Sequence, residues 1–112
     1  MSDVTFVALH SALNGLSLRQ RVIADNIANI NTPDYHAKRV EFENALSGAV
    51  SEGTGATSAT VGTSLEPTRE DGNNVNLDHE TLANVDTGLR YQLMLRAVDS
   101  KFGLLRDALR SS

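Results

Sequence analysis

Cysteine is absent from the 112 residues, which removes disulfides, zinc–thiolate sites and a thiol nucleophile together and leaves the redox compartment unread. Aromatic residues make up only 4% of a chain that is 40% hydrophobic. The bulky side chains that fill a deep core are therefore scarce, and a single small domain, residues 1–112, is the expected ceiling. Basic residues are outnumbered, 10 against 14 acidic, for a formal net charge of −4 and a pI near 5.2. Such a surface is unsuited to nucleic-acid phosphates or to direct insertion at an anionic membrane. Long apolar runs are missing as well. The N-terminus opens with an acid instead of a basic stretch, and His10, Ser11 and Asn14 interrupt its apolar residues, so it makes a poor cleaved signal peptide. The expectation is a soluble chain, or one that leaves the cell without a cleaved signal.

Catalytic signals are equally sparse. There is no glycine-rich phosphate cradle and no nucleophile elbow, and His10, His36 and His79 lack the paired spacing of metal ligands. Asp71-Gly72-Asn73-Asn74-Val75-Asn76 resembles a calcium loop only superficially, since Val75 stands where an oxygen ligand belongs and Asn76 replaces the turn glycine. No catalytic, cofactor-binding or metal-ligating residue is named, and a protein that is not an enzyme is expected.

What the chain does contain is helical periodicity at both ends. Phe6, Leu9, Leu13, Leu16, Gln20, Ile23, Ile27 and Ile30 recur in steps of three and four, the a/d spacing of a coiled-coil seam with one polar interruption. They predict a long helix over residues 3–31. A second is predicted over residues 76–110, with Asn76 as its N-cap, Asp78 and Glu80 at its positive end and Lys101, Arg106 and Arg110 toward its negative end. This second helix carries two apolar stripes on nearly opposite faces. One is Tyr91, Leu95, Val98, Phe102, Leu105 and Leu109; the other is Leu82, Val85, Leu89, Leu93, Ala97, Leu104 and Ala108. One partner helix cannot cover both. The first stripe, with its aromatic anchor, is expected to meet other subunits, and Leu93 and Leu104 are expected to complete the intrachain seam.

Residues 32–75 read as a turn and a variable loop. SGAVSEGTGATSATVGTS, residues 47–64, is rich in Gly, Ser, Thr and Ala with one charge, and is expected to be a flexible linker that tolerates shortening. Phe42 and Leu46 suggest a short helical turn before it. After it, Asp71-Gly72 is a turn signal that can close a weak β-hairpin between Val61 or Leu65 and Val75. The fold class expected is all-α.

The segment VIADNIANINTPDY places Asn26, Asn29 and Asn31 at the end of the first helix. Asn31 can take a left-handed helix-ending conformation and Pro33 cannot continue a helix. Asn26 and Asn29 have two open readings, a polar solvent face or amides that bind a neighbouring chain. The run from Asn26 and Ile27 through Ala28, Asn29, Asn31, Thr32 and Pro33 to Tyr35 resembles the signature of the bacterial flagellar axial proteins, and the C-terminal third resembles the ending of the proximal members of the basal-body rod family. Three positions depart from that pattern. Asp34 replaces a glycine, favouring a type I over a type II turn; Thr81 replaces a methionine; and Gln20 breaks the seam.

The resemblance implies that the two long helices pair as an antiparallel coiled-coil hairpin. It implies further that many subunits polymerise through them into a hollow drive shaft, with Asn26, Asn29, Asn31, Pro33 and Tyr35 as a subunit-contact corner. Implied partners are the chain itself, other rod and basal-body axial proteins, and the flagellar type III export apparatus; the implied location is the basal body, in the periplasm. No cofactor is implied. The alternative function is a small helical-hairpin adaptor or export chaperone binding a partner helix, which would form a small closed oligomer where a rod subunit forms open helical assemblies.

Overall fold

The computed structural model describes residues 3–111. Three helices and two short strands follow in the order α1 (Asp3–Ala28), β1 (Lys38–Glu41), α2 (Glu43–Ser51), β2 (Thr60–Thr63) and α3 (Leu77–Arg110). The molecule is elongated, 66 × 25 × 14 Å. Helices α1 and α3 lie side by side and antiparallel: Phe6, near the start of α1, meets Phe102, near the end of α3, with ring centroids 5.3 Å apart, and Asn26 meets Glu80 at the other end. Mostly helical, the chain nevertheless carries a small antiparallel sheet, so the all-α expectation holds only in its coarser form.

The buried cluster is Ala12, Leu16, Val22, Val40 and Phe42, with Leu18, Leu46, Ala59, Tyr91 and Met94 packed against it. Of the expected seam, Leu16 and Ile23 are buried, whereas Phe6, Leu9, Leu13, Ile27 and Ile30 are half-buried. The reason is that α1 packs on two fronts. Ala12 and Val22 turn to the sheet and α2 as well as to α3, so its buried arc is broader than an a/d stripe. Gly15 marks the closest approach, since a Cβ there would lie 2.5 Å from the Phe42 ring.

Four expectations about the connecting segment are corrected. The short helical turn is a nine-residue helix, α2, which carries regular structure to Ser51, inside the stretch read as linker. The rest of that stretch is tied down. Gly53, with φ +87°, ends the helix, and the Ser11 hydroxyl on α1 donates to Gly55 O at 3.0 Å and accepts from Thr57 N at 3.3 Å. Gly55 sits so close to α1 that a Cβ would fall 2.7 Å from Val4 O; shortening this segment therefore removes contacts and not only slack. The hairpin partner also differs: Val61 lies opposite Val40 in the β1–β2 ladder, not opposite Val75. Finally, α1 ends at Ala28, before Asn31. Its last turn tightens through Asn29 N to Asn26 O and Ile30 N to Ile27 O, both at 3.2 Å.

Asp34, not Asn31, takes the left-handed conformation, with φ 61°. With Tyr35 N bonded to Thr32 O at 3.3 Å, positive φ at the third position corresponds to a type II turn, not the expected type I. Aspartate tolerates this region better than most side chains. Here Asp34 N is held by Asp71 O at 2.8 Å, and the loop residue against its carboxylate is Gly72, where a Cβ would collide with Asp34 Oδ1.

Candidate assembly site

The puzzle of asparagines at a helix end resolves into a clamp built from Asn26, Asn73 and Asn74, all buried. Asn26 has no exposed surface. Its Nδ2 donates to Lys38 O at 2.9 Å and its Oδ1 accepts from Lys38 N at 2.9 Å, so the side-chain amide pairs with β1 as a neighbouring strand would. The same Nδ2 reaches Glu80 Oε2 at 3.2 Å, and the Tyr35 hydroxyl donates to Oδ1 at 3.4 Å. Asn73 Nδ2 holds the end of the α1 turn through Asn29 O at 2.9 Å and Thr32 O at 2.8 Å. Asn74 Oδ1 accepts from Ala37 N at 2.6 Å while its Nδ2 donates to Ser64 O and Glu66 O. Three side chains thus supply main-chain partners that irregular backbone at this end lacks.

Glu80 completes the clamp. Also wholly buried, it accepts from Arg39 Nη1 at 2.7 Å as well as from Asn26. A buried carboxylate needs such partners, and meeting them fixes how α3 is rotated about its axis. At about 100° per residue, Tyr91, Leu95, Val98, Phe102, Leu105 and Leu109 all fall within about 60° of Glu80, whereas Leu93 and Leu104 fall about 120–140° away.

The expected face assignment is therefore reversed. Leu93 and Leu104 point outward, 57% and 59% exposed, and are not part of the intrachain seam. Tyr91 packs on the core; Phe102 meets the Phe6 ring but is itself 57% exposed, so only part of the expected assembly stripe lies within the chain. Leu105 and Leu109 belong to the same inward face, beyond Phe102 toward the end of α3, and are 38% and 69% exposed. The inward positions include the small residues Ala83 and Thr87, the latter buried. Small residues let the two long helices lie close.

The contact corner divides too. Asn26 works within the chain, as does the half-buried Tyr35, whose phenol burial pushes above its ordinary pKa. Asn29 spends its side chain locally, donating to Asp25 O at 2.8 Å and accepting from the Thr32 hydroxyl at 3.0 Å. Asn31 and Pro33 are exposed. Sequence reasoning missed Asn73, Asn74, Arg39 and Glu80; the one available signal was the density of asparagines around a segment rejected as a calcium loop.

Away from the clamp, one carboxylate joins three elements. Glu43 on α2 makes a bidentate pair with Arg19 at 2.6 and 2.7 Å, and Arg90 of α3 approaches it at 3.5 Å. Arg19 also donates to Val40 O and lies over the Phe42 ring. The Arg19 hydrogen bonds pull the Glu43 pKa down to about 2. No group of three His, Cys, Asp or Glu among the described residues is placed to hold a metal, and no helix among them is long and apolar enough to cross a membrane.

The outer face of α3 is the largest unsatisfied feature. Leu82, Val85, Leu89 and Leu93 form a ladder 72%, 57%, 59% and 57% exposed. Two long antiparallel helices that carry such a ladder present an apolar face suited to association. The family model for flagella basal body rod proteins matches residues 8–36, which include the asparagine turn. Flagellar basal body rod protein FlgB of Bacillus subtilis is 30% identical, over 94% of this chain and 92% of its own length. The protein of that name from Escherichia coli is 34% identical over 89% and 88%, and that from Borrelia hermsii 54% identical over a shorter stretch, 37% of this chain. The chain belongs to the flagellar basal body rod protein family, which is structural and not enzymatic.

Proposed function

We propose that the chain is a subunit of the proximal rod of the flagellar basal body, assembled with other rod and basal-body proteins through the outer face of α3. The observation that carries this reading is the leucine ladder. Four large apolar side chains in helical register lie on the outer face of α3, away from the packed side, and burying each would contribute about 1.5–3 kcal/mol. The neighbour that covers them is another subunit of the rod. Asn31 and Pro33 project from a turn held rigid by Asn73, a placement suited to a second contact, and Leu105 and Leu109 offer a third toward the end of α3. Delivery by the flagellar type III export apparatus, to a rod within the periplasm, follows from the family resemblance.

The test is Leu89→Asp. Facing solvent in the free chain, the carboxylate leaves the fold intact; facing a neighbour it is buried without a partner and blocks assembly. The variant should be produced and exported at the normal level, with unchanged helicity, yet be absent from purified basal bodies. Rods of normal length containing the variant would sink the assignment of this face.

A further inference from the structure

The two edges of the small sheet are treated differently. Along β1 the outward edge is closed by side chains: Asn26 takes both Lys38 N and Lys38 O, and Arg19 takes Val40 O. These bonds also fix the parity of the ladder. Lys38 and Val40 point away from β2, so their ladder partners Thr63 and Val61 point away from β1. Pairing continues in phase beyond the strand, where Ser64 N donates to Ala37 O at 2.7 Å. Among the described residues, none hydrogen-bonds to the outward main-chain groups of Val61 or Thr63.

Beyond its shortness, four residues, this open edge lacks the usual protections. Residues 53–65 contain no charge and no proline, and every residue of β2 is exposed. Leu65, which continues the strand in phase with Val61 and Thr63, is 98% exposed, the extreme among the large apolar side chains described. Both features need an occupant, and the register is self-complementary. Laid antiparallel about a two-fold axis through Gly62, two copies place Val61 opposite Thr63, each with its main-chain groups facing the other. In the same register Leu65 comes opposite Ala59 and diagonal to Val61 of the second copy, within reach of both. The absence of charge matters because the chain as a whole is acidic, yet this edge brings no like charges together.

We propose that β2 is a self-association edge, at which two free chains pair strand to strand about Gly62 into a four-stranded antiparallel sheet. The contact is small and isologous. It closes on itself and cannot propagate, so it belongs to the unassembled chain and is independent of the rod reading and of the α3 face.

The test uses the full chain, followed by sedimentation and by amide hydrogen exchange as its concentration rises to about 1 mM, the range in which small interfaces act. The wild type should shift toward a dimer, with the Val61 and Thr63 amides gaining about tenfold protection. Val61→Pro removes only an outward N–H and should leave the protein monomeric with unchanged circular dichroism. Leu65→Asp alters a side chain that touches nothing in the free chain, and should also remain monomeric. A wild type that stays monomeric throughout overturns the proposal, as does a dimer in which those two amides exchange freely. So does undiminished dimerisation of Leu65→Asp, whether or not Val61→Pro folds.

Discussion

The two ends of the helical hairpin are built on opposite plans. At the turn end, where α1 stops and α3 begins, buried asparagines answer the main chain, a buried glutamate accepts from Asn26 and Arg39, and the polar groups face inward. At the far end, Phe102 meets Phe6, and Phe102, Leu105 and Leu109 are exposed to different degrees. One end is held by directional bonds complete within the chain; the other is apolar and unfinished. Directional bonds fix rotation and register, whereas apolar surface supplies attraction with little orientation. The clamp thus sets which face of α3 is offered, and the leucines make that face adhesive.

The largest expected effect comes from breaking the clamp. Asn26→Ala would strand Lys38 N, Lys38 O and part of the Glu80 carboxylate in a buried site, and with each unmet group costing about 1–3 kcal/mol the loss should approach about 4 kcal/mol. Denaturant unfolding of the free chain measures it; a loss below about 1 kcal/mol would mean that water replaces the amide and that α3 is oriented by something else.

A smaller effect is expected midway along α1. Helix propensity alone makes Gly15→Ala stabilising by about 1 kcal/mol. Because the Phe42 ring occupies the position of the new methyl, overpacking should reverse the sign and destabilise by about 1–3 kcal/mol. A raised melting temperature would show that Phe42 retreats freely.

Charge contributes less again. Folding lowers the Glu43 pKa from 4.5 to about 2, so the ionised carboxylate stabilises the fold fully above pH about 4.5. That contribution is lost as pH falls through about 2. Since the side chain is 43% exposed, screening cuts the full linkage value to about 1 kcal/mol. Glu43→Gln should be less stable than wild type by that amount at pH 7 and converge with it toward pH 2; a pH-independent gap would assign the effect to packing.

The long helices, the N-cap at Asn76 and the stop near Pro33 were legible in the sequence because each is local: periodicity, a capping side chain, a residue with no N–H. What was not legible depends on partners far along the chain. Asn26 and Glu80 are 54 residues apart, and no local pattern marks an asparagine that pairs with a strand. The sheet was hidden likewise, since Thr60–Thr63 is a strand only against Lys38–Glu41. The faces of α3 were misassigned because the stripe with the aromatic anchor was taken for the one that meets other subunits. A single buried carboxylate, with two partners, outweighs that pattern in setting rotation.

The smallest expected effect on the free chain is the most decisive for that reversal. If Glu80 sets the rotation, Leu93→Asp places a charge in water and should change stability by no more than about 0.5 kcal/mol, as ordinary surface substitutions do. Tyr91→Asp, two residues away but on the inward face packed against the buried cluster, puts an unpaired carboxylate into the packed side. It should cost several times more and lower the helicity seen by circular dichroism. The pair is informative because both sites lie on the same turns of the same helix and receive the same residue, so propensity and net charge cancel and orientation remains. Should Leu93→Asp melt the chain while Tyr91→Asp spares it, α3 is rotated by half a turn from the arrangement described. The leucine ladder would then be core, and the exposed stripe would be the one anchored by Phe102.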